Sequence, residues 1–240
     1  MKCALCQQTK PLCDSHIIPE FFYKKLYDSE HSYFFVSTDP SKGAESRRKG
    51  IYEKLLCTSC EKQIGSFEDY SSKVLSGNVT IDDSHRPNWI VLRNLDYTKF
   101  KLFQISLLWR AGVSARKEFS KCDLGPHGER MRIMLLNGQP GEPYEYGCFI
   151  FFFPTAQKEM QRIVYPPELA KSKINGHRCY LAVFGGLMWV YLVSKHTKSF
   201  RHGDVFLSKE GDQPIFNIGI TGMKWAIQLA DDMKSTGKLR

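Results

Sequence analysis

Two pairs of cysteines carry the clearest chemistry in this chain. Two residues separate Cys3 from Cys6, and two separate Cys57 from Cys60. That spacing lets both thiolates of a pair reach one ion. Two such pairs complete a closed, tetrahedral, all-sulfur site, which is the arrangement of structural zinc. The pairs are about 50 residues apart, and closing a loop of that size costs about 3.5 kcal/mol plus a constant. Zinc binding free energies of about 10–16 kcal/mol exceed that cost. The competing reading is two redox CxxC pairs, but neither lies in a thioredoxin-like βαβ pattern. Cys13, Cys122, Cys148 and Cys179 are scattered and read as buried thiols.

Other reactive side chains lie between and just after the pairs. His16, in the string Ser15-His16-Ile17-Ile18-Pro19, could abstract a proton from water as an imidazole of near-neutral pKa. Alternatively, it hydrogen-bonds locally and steadies the cysteine knuckle. Glu61 follows the fourth cysteine and is a hard oxygen donor suited to Mg2+. Asp14, Glu68 and Asp69 could add carboxylates, or Glu61 and Glu68 could be solvated helix residues. Arg47-Arg48-Lys49 offers three adjacent cations for phosphate contacts, against the plainer reading of a solvated loop. Lys195 to His202 is a second basic stretch with the same two readings. His31, His85, His127 and His177 show no ligand-like spacing, and the chain has no P-loop, GxGxxG or GxSxG motif.

The order Cys3-x2-Cys6, Ser15-His16-Ile17-Ile18-Pro19, Leu56-Cys57-x2-Cys60 resembles the HNH endonucleases in their zinc-stabilised form. The match covers about residues 1–75. The resemblance implies a treble clef, with a knuckle, a loop and a second CxxC opening a helix. It also implies a ββα-metal site in which His16 is the general base and neighbouring groups hold Mg2+ or Mn2+ against the scissile phosphate of DNA. On that basis Glu61, with Asp14 or Glu68, would hold the catalytic ion and zinc would be structural. Three positions depart from the family pattern. Ser15 stands where an acidic residue precedes the His, Tyr52 where an Asn lies about five residues before the third Cys, and Glu61 where a His commonly follows the fourth. The expected function is therefore a divergent metal-dependent nuclease acting on DNA, and the alternative is a catalytically inactive zinc module that binds nucleic acid or a protein partner.

These residues need elements to place them. Cys60 leads into Ile64 and Phe67 at helical spacing, predicting a helix to about Leu75. Ser37 to Gly50 reads as a loop, and Ser76 to Pro87 as a soft boundary. The expected division is an HNH-like zinc module over residues 1–80 and an α+β domain over 81–240. In the latter, Asp96 caps a helix expected to reach Phe119, with Phe100, Phe103, Leu107 and Leu108 facing the core. Tyr146 to Phe153 reads as a buried strand, and Cys179–Phe184 with Leu187–Val193 as a hairpin about Gly185-Gly186. Pro214 to Ile220 reads as a further strand and Met223 to Met233 as a closing helix. Strands and helices do not strictly alternate, so the fold class is α+β.

Bulk properties narrow the partner. Hydrophobic residues are 42% and aromatics 13%, which supplies a core and excludes a disordered chain. The net charge of +9 favours a polyanion, nucleic acid before membrane. Every quarter of the chain carries an excess of cations, so the total marks no single stripe. No apolar run reaches the roughly 20 residues of a membrane span, and no apolar stretch follows Met1-Lys2-Cys3. A cytoplasmic location is expected, where structural disulfides are rare. The aromatic second domain could also bury a protein interface.

Overall fold

The computed structural model describes residues 1–24, 26–27, 30–35, 45–84, 87–153, 163–170, 173–174, 176–193 and 205–218. The closing helix expected at Met223 to Met233 and the basic stretch Lys195 to His202 lie outside the described residues, as does most of the Ser37 to Gly50 loop.

The fold is mixed α+β. Strand β1 (Leu12–His16) pairs antiparallel with β4 (Tyr52–Cys57), and helix α2 (Thr58–Leu75) follows β4 directly. The register sets Ser15 opposite Glu53 and His16 opposite Tyr52, with an irregularity at Cys13 between Leu12 and Asp14. Between the two strands lie helix α1 (Glu20–Lys24) and a small ribbon of β2 (Tyr33–Phe35) and β3 (Glu45–Arg47). Helix α2 is amphipathic, and Cys60, Ile64, Phe67, Ser71 and Val74 recur at three and four residues to form its buried face.

A seven-stranded sheet forms the rest of the scaffold. Its strands are β5 (Thr80–Asp82), β6 (Trp89–Arg93), β7 (Cys148–Phe152), β8 (Tyr165–Leu169), β9 (Arg178–Phe184), β10 (Leu187–Val193) and β11 (Gln213–Asn217), in the spatial order β5-β6-β11-β7-β10-β9-β8. All pairings are antiparallel except β11 with β7. The hairpin expected at Gly185-Gly186 is present. Both glycines have positive φ, at 64° and 74°, as a two-residue type I′ turn requires. A side chain at Gly185 would lie 2.3 Å from the Phe22 ring, so the tip of the hairpin rests on α1.

Helix α3 (Tyr97–Val113) starts where the sequence places it, with the Asp96 side chain accepting from the Lys99 amide at 2.9 Å. Two expectations about it need correction. It ends at Val113 rather than near Phe119, and a 3-10 turn (Lys117–Phe119) takes the remainder. It also buries more than one stripe, because every residue from Phe100 to Ala111 is buried. A helix covered on all sides lies inside the molecule. Helix α4 (Pro126–Asn137), begun by Pro126 and ended by Gly138 in the left-handed region, is an addition to the elements expected from the sequence.

The division expected at residue 80 separates the two CxxC pairs from the rest of the chain, but the apolar core does not stop there. One buried cluster runs from Cys3, Ile17 and Phe22 through Phe100 and Trp109 to Trp189 and Ile215. A second lies on the other face of the sheet, where β10 sends Met188, Val190 and Leu192 while Trp189, Tyr191 and Val193 enter the first. No helix among the described residues is long and apolar enough to cross a membrane.

Candidate metal centre and the His16 face

The four cysteines converge. Cys3 and Cys6 sit on a tight turn in which the Cys3 carbonyl accepts from the Gln7 amide at 2.9 Å, with Gln7 at φ 62°. Cys57 ends β4 and caps α2, and Cys60 lies in the first turn of that helix. Their sulfur atoms lie within 4.8 Å of one another, and Cys6 and Cys57 are 3.8 Å apart. Sulfurs at about 2.3 Å from a tetrahedral ion are about 3.8 Å apart, so this geometry is compatible with structural zinc. None of the eight cysteines forms a disulfide.

The surroundings prepare the sulfurs for a cation. The Ser59 hydroxyl and the Cys60 amide hold the Cys57 thiol down at about 6, and the Cys57 amide points at the Cys3 sulfur at 3.3 Å. Burial raises the Cys60 thiol, and the neighbouring sulfurs raise it further. Four sulfurs this close cannot all ionise without a positive ion among them.

Helix α4 clamps the knuckle from outside. Arg132 Nη1 donates to the Leu5 carbonyl, between Cys3 and Cys6, at 2.6 Å, while Nε and Nη2 are held by Glu129 at 2.8 and 2.7 Å. The Glu129 hydrogen bonds raise the Arg132 pKa, burial opposes them, and the Cys6 sulfur adds to the rise. At the other end of α4, Gln63 Nε2 from α2 donates to the carbonyls of Leu135 and Leu136 at 2.8 and 3.1 Å.

His16 ends β1 with its side chain half-buried, and its Nε2 lies 3.2 Å from Glu20 Oε2. The Tyr27 hydroxyl donates to the other Glu20 oxygen at 3.0 Å, and burial followed by Glu20 pushes that phenol up to about 12. The Tyr52 ring meets the imidazole edge-on, centroids 5.4 Å apart. The backbone of His16 is held as well: its carbonyl accepts from the buried Arg110 at 2.6 Å.

The carboxylates singled out beside His16 go elsewhere. Successive side chains of a strand point to opposite faces, so Ser15 points away from His16. Its hydroxyl donates to Glu61 Oε2 at 2.5 Å and accepts from the Leu56 amide at 3.2 Å. Asp14 pairs with Lys54 at 2.9 Å in the solvent. Glu68 pairs with Arg110 at 2.5 Å. Among the described residues, the four cysteines are the one set of three or more Cys, His, Asp or Glu side chains close enough for a single ion.

The three basic residues also separate. Arg47 is largely buried, between Glu45 at 2.6 Å and Glu118 at 3.0 Å and over the Phe35 ring at 4.2 Å. Arg48 and Lys49 are exposed.

Sequence reading missed Glu20, Arg110 and Arg132. Glu20 stands four residues after His16, but the Pro19 between them hides a pairing that bridges a strand end and a helix start. Arg110 and Arg132 act from beyond residue 80, and no local spacing links them to the cysteines. Comparison with family models, curated proteins and solved structures gives no match.

Proposed function

We propose that the chain is an HNH-like zinc module, joined to an α+β scaffold, that binds nucleic acid and no longer assembles a hydrolytic metal site. Zinc in the four-cysteine cluster would staple the Cys3–Cys6 turn to the end of β4 and the start of α2, in treble-clef order. The observation that supports binding over cleavage is the position of Glu61. Its carboxylate is taken by Ser15, on the face of β1 opposite His16. The net charge of +9 and the exposed Arg48 and Lys49 favour a polyanionic partner.

The second reading is a divergent endonuclease acting on DNA with Mg2+ or Mn2+, in which His16 is the general base. The His16–Glu20 pair favours it, because a carboxylate on one ring nitrogen orients the imidazole and fixes which nitrogen is free to act. This reading needs Glu20 in the role that the resemblance gives to Glu61, Asp14 or Glu68.

Zinc-loaded protein mixed with labelled duplex DNA, with and without Mg2+ or Mn2+, separates the two. Salt-dependent binding is expected, with cleavage no greater than that of His16→Ala. Divalent-dependent cleavage that falls by roughly 10²–10⁴ in folded, zinc-loaded His16→Ala would establish the second reading instead. No binding at low salt would refute both and leave a scaffold that meets a protein through its aromatic second part.

A further inference from the structure

The turn that carries Arg48 and Lys49 is fixed at both ends. Before it, Arg47 is held by Glu45 and Glu118. After it, the Lys49 carbonyl accepts from the buried Tyr33 hydroxyl at 3.2 Å, and Gly50 lies against Tyr23, where an added side chain would come within 2.7 Å of the ring. Arg48 and Lys49 therefore project from a positioned turn.

The carboxylate that anchors Arg47 belongs to the second part of the chain, and it brings cations of its own. Glu118 Oε1 accepts from Arg47 Nη1 at 3.0 Å and from Arg116 Nη2 at 3.3 Å. Burial would raise the Glu118 pKa, but its own backbone amide, Arg116 and Arg47 pull it below the ordinary carboxylate value, so it is charged at neutral pH. One buried carboxylate thus holds two guanidinium groups together, and Lys117 stands beside it, exposed. Arg48, Lys49 and Lys117 meet no carboxylate among the described residues.

This surface continues onto β4. The Arg116 amide donates to Ser114 Oγ at 3.1 Å, and that hydroxyl donates to Glu53 Oε2 at 2.7 Å. Glu53 also accepts from the Ala115 amide at 3.1 Å and sits on β4 opposite Ser15, so its side chain lies on the face of the β1–β4 pair away from His16. Five cations, Arg47, Arg48, Lys49, Arg116 and Lys117, face three carboxylates, Glu45, Glu53 and Glu118, and all three carboxylates are engaged by hydrogen bonds. The excess positive charge lies outward.

We propose that Arg116 and Lys117 join Arg48 and Lys49 in one phosphate-contacting surface, built from both parts of the chain around the Arg47–Glu118–Arg116 cluster, and that its partner is the backbone of duplex DNA. This inference rests on the nucleic-acid reading above and adds to it the residues that no N-terminal motif contains. Phosphate contacts position a protein on a duplex without reading its sequence, so the surface acts on affinity and salt dependence.

The test is fluorescence anisotropy of a labelled DNA duplex against wild-type protein, Arg48→Ala/Lys49→Ala, Arg116→Ala/Lys117→Ala, and Lys2→Ala/Lys10→Ala as a control with the same change in charge. Lys117→Glu is added because that exposed lysine pairs with no carboxylate among the described residues, and zinc content and circular dichroism are checked throughout. Each surface pair should lower affinity roughly tenfold or more and reduce the log–log salt slope by about 0.9 for each phosphate no longer neutralised. The control should leave the slope unchanged. If wild type does not bind at low salt, the nucleic-acid reading itself fails. If wild type binds and only Arg48→Ala/Lys49→Ala weakens it, this inference fails while that reading stands. Equal losses in the control pair, or binding to phosphatidylserine vesicles in place of DNA, would also overturn the surface proposed here.

Discussion

Lys101 is the clearest case of a single side chain whose environment sets a measurable property. It is fully buried in α3, and its ammonium donates to the carbonyls of Pro143 and Tyr146 at 3.0 and 3.2 Å. Burial pushes its pKa down to about 8, with Cys148 and Glu145 opposing. Between pH 8 and the ordinary lysine value near 10.5, the unfolded chain keeps this proton and the folded chain releases it. The unfolded state then binds more protons, so this residue makes stability rise with pH across that window. Chemical denaturation of wild type and Lys101→Met from pH 7 to 10 should show the wild type gaining on the variant above pH 8, by at most about 1.4 kcal/mol per pH unit. A constant difference would show that the lysine keeps its charge when buried, with its pKa not lowered. At the same scale, the cysteine ligands are legible in the sequence, because a two-residue spacing is itself the geometry of chelation. The partners of Glu61, Asp14 and Glu68 are not, because each lies more than 35 residues away along the chain.

Helix α4 shows what a single element contributes and why reading along the chain misses it. It carries Met131 and Leu135 as its buried residues, so its apolar pattern is faint. Its role comes from its ends: Arg132 fastens it to the cysteine knuckle and Gln63 satisfies two of its terminal carbonyls. Groups around a metal site that orient its ligands typically change metal affinity 10- to 100-fold. Arg132→Ala should therefore speed zinc loss to a chromogenic chelator by roughly tenfold. Arg132→Lys, which keeps the charge without the paired donors, should fall between. An unchanged rate would confine α4 to packing. Elements with strong local signals behave differently. The Asp96 cap, the Gly185-Gly186 hairpin and the run entering α2 are specified by adjacent residues and are readable from them. The end of α3 at Val113 is not, because it follows from Ser114 and Ala115 being drawn to Glu53 on β4.

At the scale of the whole molecule, the continuous core decides what removing a metal ion from the cysteine cluster would do. Cys3, Cys57 and Cys60 belong to the same buried cluster as Trp109 and Trp189. With an ion among the cysteines, its loss would free the Cys3–Cys6 turn from β4 and α2, and one wall of that cluster would no longer be held. Chelation should change tryptophan fluorescence and near-ultraviolet dichroism well beyond the N-terminal third, in a single transition with loss of secondary structure. A fragment of residues 1–80 with zinc should be poorly folded. Two separate transitions, one sensitive to chelator and one not, would show two independently stable units. The composition foretells a large core, but nothing in it foretells that the core ignores the boundary at residue 80.

The hairpin tip on Phe22 bears on how the chain comes to be folded at all. Phe22 and Gly185 are about 160 residues apart, and non-local contacts of this kind slow folding. A ribosome adding about 5–20 residues per second leaves Phe22 without its cover for roughly 10–30 s after it is made. Throughout most of that interval the four clustered thiols are already synthesised, and the apolar wall beside them faces water. Early capture of the metal would fasten the first strands while they wait for the last. Zinc supply during synthesis, more than zinc affinity afterwards, would then set how much of the protein escapes aggregation.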